Sequence, residues 1–211
     1  MLTPTHQDDL FSLDGVHQAV TLDGDGLEAF YQPRFVASNV ANTWFEELLQ
    51  TTHWQQDTVT VYGKRHLTPR LSCWMGESWM SYSYSGQTMR PHPWQALPLE
   101  IKLKIEAATG ETFNSVLINY YRDGRDSNGW HSDDEQELGA KPVIASLSLG
   151  AARDFHLRSK SNHALQHRLK LASGSLLMMS GSTQDFWQHQ VPKRAHADAR
   201  LNLTFRKIVR T

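Results

Sequence analysis

From residue 113 to the C-terminus the chain is a succession of short β-type segments cut by turn dipeptides, and that pattern most restricts its fold. Candidate strands are 113–121 (FNSVLINYY), 143–149 (VIASLSL), 153–158, 167–171, 175–179 (SLLMM) and 200–208 (RLNLTFRKI). Between them stand Asp123-Gly124, Asn128-Gly129, Leu149-Gly150, Ser173-Gly174 and Ser180-Gly181, residues that reverse a chain at little steric cost. Upstream, a helix is predicted over 38–52. Ser38 or Asn39 can cap it, and Trp44, Phe45, Leu48 and Leu49 recur at i, i+4. In 98–109, Ile101, Leu103 and Ile105 alternate as in a strand, yet Leu99/Leu103 and Ile101/Ile105 also pair at i, i+4. Pro98 at the start and Gly110 at the end favour a helix. Helices followed by many short strands predict an α+β protein with a β-sandwich or jelly-roll core and flanking N-terminal helices.

The chain's 211 residues suit one domain, and 39% hydrophobic with 20% charged residues suits a packed one. No stretch approaches the roughly 20 apolar residues of a membrane helix, and residues 1–15 lack the pattern of a secretory signal. Cys73 is the only cysteine, which predicts a reducing, intracellular compartment, cytoplasmic or nuclear. Charge is unevenly placed. Residues 1–30 hold Asp8, Asp9, Asp14, Asp23, Asp25 and Glu28 with no Lys or Arg, so a net charge of −1 overall leaves +5 for 31–211. The first segment reads as an acidic, flexible N-terminal arm and 31–211 as the domain proper. Arg153, Arg158, Lys160, Arg168 and Lys170 cluster against one acid, Asp154. That cluster is either a solvated loop or a phosphate-contacting surface.

Three segments carry polar groups with strand periodicity. In the last, Arg200, Asn202, Thr204 and Arg206 fall on one face, and Leu201, Leu203 and Phe205 on the other. Two guanidinium forks on one face suit a ligand with two carboxylates, because Arg binds carboxylate bidentately; an exposed edge strand is the plainer alternative. Asn119 and Tyr121 form a second same-face pair, both able to donate to a carboxylate or keto oxygen. His131-Ser132-Asp133 is the third. A His and a carboxylate two apart, with one distant His, make the 2-His-1-carboxylate set that leaves metal positions open. His189 is the distal candidate by context, with His196, His163 and His167 as competitors. Separations of 56 residues from Asp133 to His189 and 11 from His189 to Arg200 follow the chain order this chemistry uses.

These residues resemble the AlkB family of Fe(II)- and 2-oxoglutarate-dependent nucleic-acid dealkylases. R-x-N-x-T-F-R is complete at 200–206, and LINYYRDGRDSNGWHSDDEQEL (117–138) is similar to the family's iron segment. PVIASLSLGAARDFHLR and SGSLLMMSG resemble its middle strands, so the likeness covers about 55–208. VYGK (61–64) and YSYSG (82–86) resemble the aromatic finger and base-contacting strand of the branch that repairs double-stranded DNA.

The resemblance implies a double-stranded β-helix fold, with His131, Asp133 and His189 binding Fe(II). Asn119, Tyr121, Arg200, Thr204 and Arg206 would hold 2-oxoglutarate, supported by Asn202, with Arg200 at the remote carboxylate. Tyr82 and Tyr84, flanking Ser83, would enclose a flipped base with His131. Asp134 and Glu135 would reach its polar edge. Tyr62, followed by Gly63 and Lys64, would be the wedge, where that branch more often has Phe. The implied activity is oxidative demethylation of bases such as 1-methyladenine and 3-methylcytosine by a monomer acting on double-stranded DNA, with single-stranded DNA or RNA as alternatives and formaldehyde, succinate and CO₂ as products. Competing readings are a 2-oxoglutarate oxygenase acting on protein or lipid, a zinc hydrolase with the same His and Asp residues, and a non-catalytic nucleic-acid-binding module.

Overall fold

The computed structural model describes residues 19–61, 63–80, 82–84 and 87–209. Its core is two antiparallel sheets facing each other. The N-terminal strands are β1 (Val20–Gly24), β2 (Leu27–Gln32), β3 (Thr58–Val61), β4 (Lys64–Leu67), β5 (Leu71–Gly76), β6 (Tyr82–Tyr84) and β7 (Gln87–Met89). Those of the second half are β8 (Ser115–Tyr121), β9 (Asn128–His131), β10 (Ile144–Gly150), β11 (Arg153–Ser159), β12 (Gln166–Leu171), β13 (Ser175–Ser180), β14 (Trp187–Val191) and β15 (Arg200–Arg206). The larger sheet runs β1-β2-β13-β10-β15-β8-β5 and the smaller β12-β11-β14-β9; β3-β4 and β6-β7 are separate hairpins. No helix among the described residues is long and apolar enough to cross a membrane.

The helices are α1 (Ser38–Thr51), α2 (Ala96–Thr109) and the short α3 (Thr183–Phe186). They do not form an N-terminal block: two strands precede α1 and five lie between α1 and α2. The cap of α1 is the extended Ala37, without a side-chain bond, so neither Ser38 nor Asn39 serves that role. Trp44 and Leu48 of α1 and Ile101 and Ile105 of α2 pack on the outer face of the larger sheet, against Ile118, Leu147, Leu203 and Phe205. Burying each such side chain contributes about 1.5–3 kcal/mol.

Between the sheets lies a second cluster that includes Tyr121, Ile144, Phe155, Leu157, Leu177, Met179 and Trp187. The larger sheet is therefore covered on both faces. β15 is an inner strand, between β10 and β8, which rules out the exposed-edge alternative for its polar face. Gly150 closes the turn after β10 at φ +82°, where a Cβ would stand 2.6 Å from the Ala199 carbonyl oxygen.

The acidic arm ends earlier than its charge implies. Residues 20–32 are the β1-β2 hairpin, paired to β13. Leu22, Leu27, Ala29 and Tyr31 are buried, and the Tyr31 hydroxyl donates to the Lys170 carbonyl at 3.0 Å. The acids Asp23, Asp25 and Glu28 stand at or beside the turn that interrupts this alternation, so the apolar set is hidden from a continuous reading. Residues 1–18 lie outside those described.

Candidate active site

His131 ends β9 and His189 sits directly opposite it on β14. Asp133 lies just past the strand, so it reaches the same side through the bend of the chain rather than strand alternation. One ligand atom from each of His131, Asp133 and His189 lies within 4.8 Å of the others, the only such group among the described residues. The competitors are elsewhere: His196 is exposed on the loop before β15, His163 is exposed, and His167 packs at a tilt against Trp187.

Each member is held in place. Nδ1 of His131 donates to the Gly129 carbonyl at 2.7 Å, which leaves Nε2 as an acceptor, 3.1 Å from the Asn128 amide nitrogen. His189 is 6% exposed and stacks on Phe155. Burial, reinforced by the neighbouring His131, pulls its pKa from 6.5 to about 3 and keeps the imidazole neutral. The Asp133 backbone N–H donates to Gln184 Oε1 at 2.9 Å, and its carboxylate accepts from Arg206 Nη2 at 2.8 Å. Burial alone would raise the Asp133 pKa, but Arg206, His189 and His131 outweigh it and hold the group at about 2. A neutral buried imidazole, a second whose Nε2 is an acceptor and an ionised carboxylate form a donor set that fits Fe(II).

The cluster opens onto a cavity of about 820 Å³. Asn119, Tyr121, Asn202, Thr204 and Arg206 line it, as the alternation predicts. Cross-strand register builds this polar floor: Asn119 pairs with Asn202 and Ser72, and Ser148 with Asn202. Asn202 is fully engaged, donating to Ser146 Oγ at 2.8 Å and the Leu147 carbonyl at 3.1 Å while accepting from Thr204 Oγ1 at 3.0 Å. It is thus a support for the floor.

Arg200 departs from the simplest expectation. It lies behind Tyr121, with its guanidinium 5.1 Å from that ring, and does not line the cavity. It is 1% exposed, Nη2 donates to Ser148 Oγ at 2.9 Å, the Tyr121 side chain supports its charge, and Nε and Nη1 have no hydrogen-bond partner among the described residues. Burial lowers its pKa to about 10. A buried, still charged guanidinium with unmet donors favours a nearby anion.

The acids after Asp133 diverge. Asp134 is 57% exposed and pairs with Lys160 at 3.3 Å, outside the cavity wall. Glu135 lines the cavity, and burial raises its pKa against the opposing charge of Arg206. Gly63 makes the β3-β4 turn at φ +76°, and Lys64 beside it is exposed. Thr58, Val59 and Arg65 of this hairpin reach the cavity. Tyr62 lies outside the described residues. For Tyr82, Ser83 and Tyr84 only the backbone, strand β6, is described.

Several residues of the site were not foreseen. Arg70, Asp57, Trp74 and Ser115 line the cavity. Ser72 Oγ donates to Asp57, and Trp74 Nε1 donates to Ser115 Oγ at 2.7 Å. The buried Arg153 donates to the carbonyls of Asp123, Asp126 and Pro192, tying the loop before β9 to the segment after β14. A Pro-Arg-Leu step at 69–71 was the only signal for Arg70, and it carries no periodicity.

The model of the 2OG-Fe(II) oxygenase superfamily matches residues 28–206. Alpha-ketoglutarate-dependent dioxygenase alkB homolog 3 of Bos taurus is 44% identical over 186 residues, covering 83% of this chain and 64% of that protein. DNA oxidative demethylase ALKBH2 of Mus musculus is 40% identical over 214 residues, covering 96% of this chain and 87% of that protein. The solved structure of OsALKBH1 superposes with a TM-score of 0.58 at 16% identity, covering 85% of this chain and 96% of that one, and shares the fold. The chain spans less than two thirds of the alkB homolog 3 relative, but most of ALKBH2. With a jelly-roll core and a His-Asp-His cluster facing a polar cavity floor, the chain belongs to the 2OG-Fe(II) oxygenase superfamily and, within it, to the alkB homologues.

Proposed function

We propose that this chain is an Fe(II)- and 2-oxoglutarate-dependent dioxygenase that removes alkyl groups from DNA bases. The observation that carries the reading is the His131-Asp133-His189 cluster at the wall of a cavity whose floor holds Arg206, Asn119 and Thr204. The names of two relatives, DNA oxidative demethylase ALKBH2 and alpha-ketoglutarate-dependent dioxygenase alkB homolog 3, support the substrate class.

His131, Asp133 and His189 hold the iron. Arg206, bonded to Asp133 and lining the cavity, would hold one of the cosubstrate's carboxylates. Tyr121, which lines the cavity, would direct its hydroxyl at the other, with the Arg200 guanidinium supplying positive charge from behind its ring. Asn119 directs a hydrogen-bonding group at the cosubstrate's oxygens, and Thr204, whose hydroxyl donates to Asn202 Oδ1, lines the floor beside it. When bound, Fe(II) with 2-oxoglutarate and O₂ supplies the oxidation that hydroxylates an alkyl carbon on a base nitrogen, with succinate and CO₂ formed and a methyl group then leaving as formaldehyde. The protein's own task is to hold that carbon in place and keep bulk water out.

A damaged base inside a duplex cannot reach this cavity, so its nucleotide must rotate out, at a cost of a few kcal/mol. Tyr62, which precedes Gly63 and Lys64 in the finger motif that the family resemblance assigns, would fill the gap. Tyr82 and Tyr84, flanking Ser83 in the motif that the family resemblance assigns to base contact, would give the base a stacking wall. Glu135 faces the polar edge of the base, while Asp134 stays on the rim with Lys160. Double-stranded DNA is the preferred substrate on this reading.

The test is a panel of oligonucleotides, single- and double-stranded, carrying 1-methyladenine, 3-methylcytosine or 3-methylthymine, scored for demethylation and formaldehyde release with Fe(II) and 2-oxoglutarate. Turnover dependent on both supports the proposal. Binding without turnover on every substrate overturns it in favour of a non-catalytic module.

A further inference from the structure

Arg70 does two things at once. Its Nε–H donates to Asn119 Oδ1 at 2.9 Å, and its Nη1 donates to the Ser127 carbonyl at 3.4 Å. It occupies the root of the β3-β4 hairpin, one residue before β5, and it lines the cavity. Ser127 immediately precedes β9, the strand of His131.

Guanidinium has five donors and no acceptor, so it fixes the sense of any amide it touches. Asn119 must turn its oxygen to Arg70. Its Nδ2 is then the group left over, and no partner for Nδ2 is found among the described residues. Asn119 is 4% exposed and its residual surface belongs to the cavity. Without Arg70 the amide is free to present either its oxygen or its nitrogen. Only the nitrogen can donate to a carboxylate or keto oxygen.

We infer that Arg70 is a positioning residue for the cosubstrate: it locks Asn119 as a hydrogen-bond donor and makes the site selective for an oxygen acceptor there. The inference rests on 2-oxoglutarate binding in this cavity, as proposed above. It also gives the hairpin root a direct connection to the cosubstrate floor, through a side chain that need touch neither the metal nor the base.

The experiment measures 2-oxoglutarate binding by titration calorimetry on the full chain, with Mn(II) in place of Fe(II) and no DNA, together with the melting temperature of every variant. Arg70→Met removes all donors but keeps the stem, and Arg70→Lys keeps the charge but loses the fixed fork. Arg70→Met is expected to weaken 2-oxoglutarate binding about tenfold, the scale of one hydrogen bond to an ionised group. Arg70→Lys should lie between it and wild type. In an Asn119→Ala background, both Arg70 substitutions should change the affinity less than twofold, since the group Arg70 orients is gone. A role confined to folding would move the melting temperature and leave the two affinity losses additive. Additive losses, or unchanged binding in both Arg70 variants, overturn the inference. If Arg70→Met does not fold, Arg70→Lys in the two backgrounds decides by the same criterion. Absence of 2-oxoglutarate binding by the wild type would instead overturn the proposed function on which the inference stands.

Discussion

Nη2 of Arg206 donates to Oδ1 of Asp133 at 2.8 Å, joining the last polar residue of β15 to the carboxylate of the metal-ligand cluster. One guanidinium thus lines the cosubstrate floor and orients the carboxylate of the set. Partners of this kind fix a ligand's rotamer and keep it ionised, and losing one commonly costs 10–100-fold in metal affinity. Arg206→Ala is therefore expected to weaken Mn(II) or Fe(II) binding by about that factor, even without 2-oxoglutarate. Metal titration of the cosubstrate-free protein is the check. An unchanged metal affinity would confine Arg206 to the cosubstrate.

Replacing His131, Asp133 or His189 by Ala should each abolish formaldehyde release while leaving circular dichroism unchanged, because each removes one of three protein ligands. A chelator should do the same to the wild type, reversibly. His196→Ala is the control, since His196 is exposed on the loop before β15 and outside the cluster. A dead His196→Ala beside an active His189→Ala would transfer the distal ligand to His196.

How much of this was legible in the sequence depends on how each residue is held. β15 was legible because its two faces meet different surroundings: Leu201, Leu203 and Phe205 pack under the helices, and Asn202 and Thr204 face the cavity. The helix over 38–51 and the strands β8, β10, β11, β12 and β13 follow equally plain periodicities. β14 escaped because its buried residues Trp187, His189 and Val191 alternate with Gln188 and Gln190 over only five positions. β9 escaped because Asn128-Gly129 reads as a turn, yet opens a strand. The different depths of Arg200 and Arg206 could not be read, since strand alternation gives a face and not a distance from the cavity. The bond from Arg70 to Asn119 depends on β5 lying beside β8, a register that no local pattern encodes.

Asp126 anchors the turn before β9. Its carboxylate accepts from the Arg122 backbone N–H at 2.9 Å, from Nε at 2.8 Å and from Nη2 at 2.9 Å. Burial pushes its pKa up, but these bonds prevail and hold it below the usual carboxylate value. Asp126→Asn should destabilise the fold by about 1–2 kcal/mol near neutral pH, a charged hydrogen bond discounted for the solvent access of Arg122. The folded pKa is depressed, so the contribution is complete above the unfolded carboxylate value near 3.9 and is lost as pH falls through the folded one. Denaturant melts at neutral and acidic pH should therefore show the gap between wild type and variant closing below about pH 4. A gap independent of pH would mean that the variant acts by repacking.

Tyr62→Ala should lower demethylation of duplex DNA well beyond that of single strands. Only the duplex leaves a stacked gap, and one base–aromatic stack is worth roughly 1–3 kcal/mol. The ratio of kcat/KM on the two substrates reads the effect directly. Equal losses on both would make Tyr62 a structural residue and not a wedge.

The last prediction concerns which lesion the cavity prefers. Methylation at N1 of adenine or N3 of cytosine gives a cationic base that keeps an exocyclic N–H donor, whereas 3-methylthymine is neutral and has none on that edge. Two acids follow Asp133, and they differ in setting. Glu135 lines the cavity, while Asp134 is exposed and neutralised by Lys160 at 3.3 Å. A carboxylate in a partly dry cavity discriminates by charge far more than one on the rim, where water and a counter-ion screen it. A wall formed by Tyr82 and Tyr84 would add roughly 0.5–2 kcal/mol for a cation over an aromatic face. The expected order is therefore 1-methyladenine and 3-methylcytosine ahead of 3-methylthymine. Glu135→Gln should narrow that difference about tenfold, the loss of one charge-assisted hydrogen bond, while Asp134→Asn should leave it within about twofold, as for an exposed ion pair. The measurement is kcat/KM for the three lesions in one duplex context, for wild type and both variants. Selectivity that collapses in Asp134→Asn but survives in Glu135→Gln would assign the base edge to Asp134 and require the Lys160 pair to open when DNA binds.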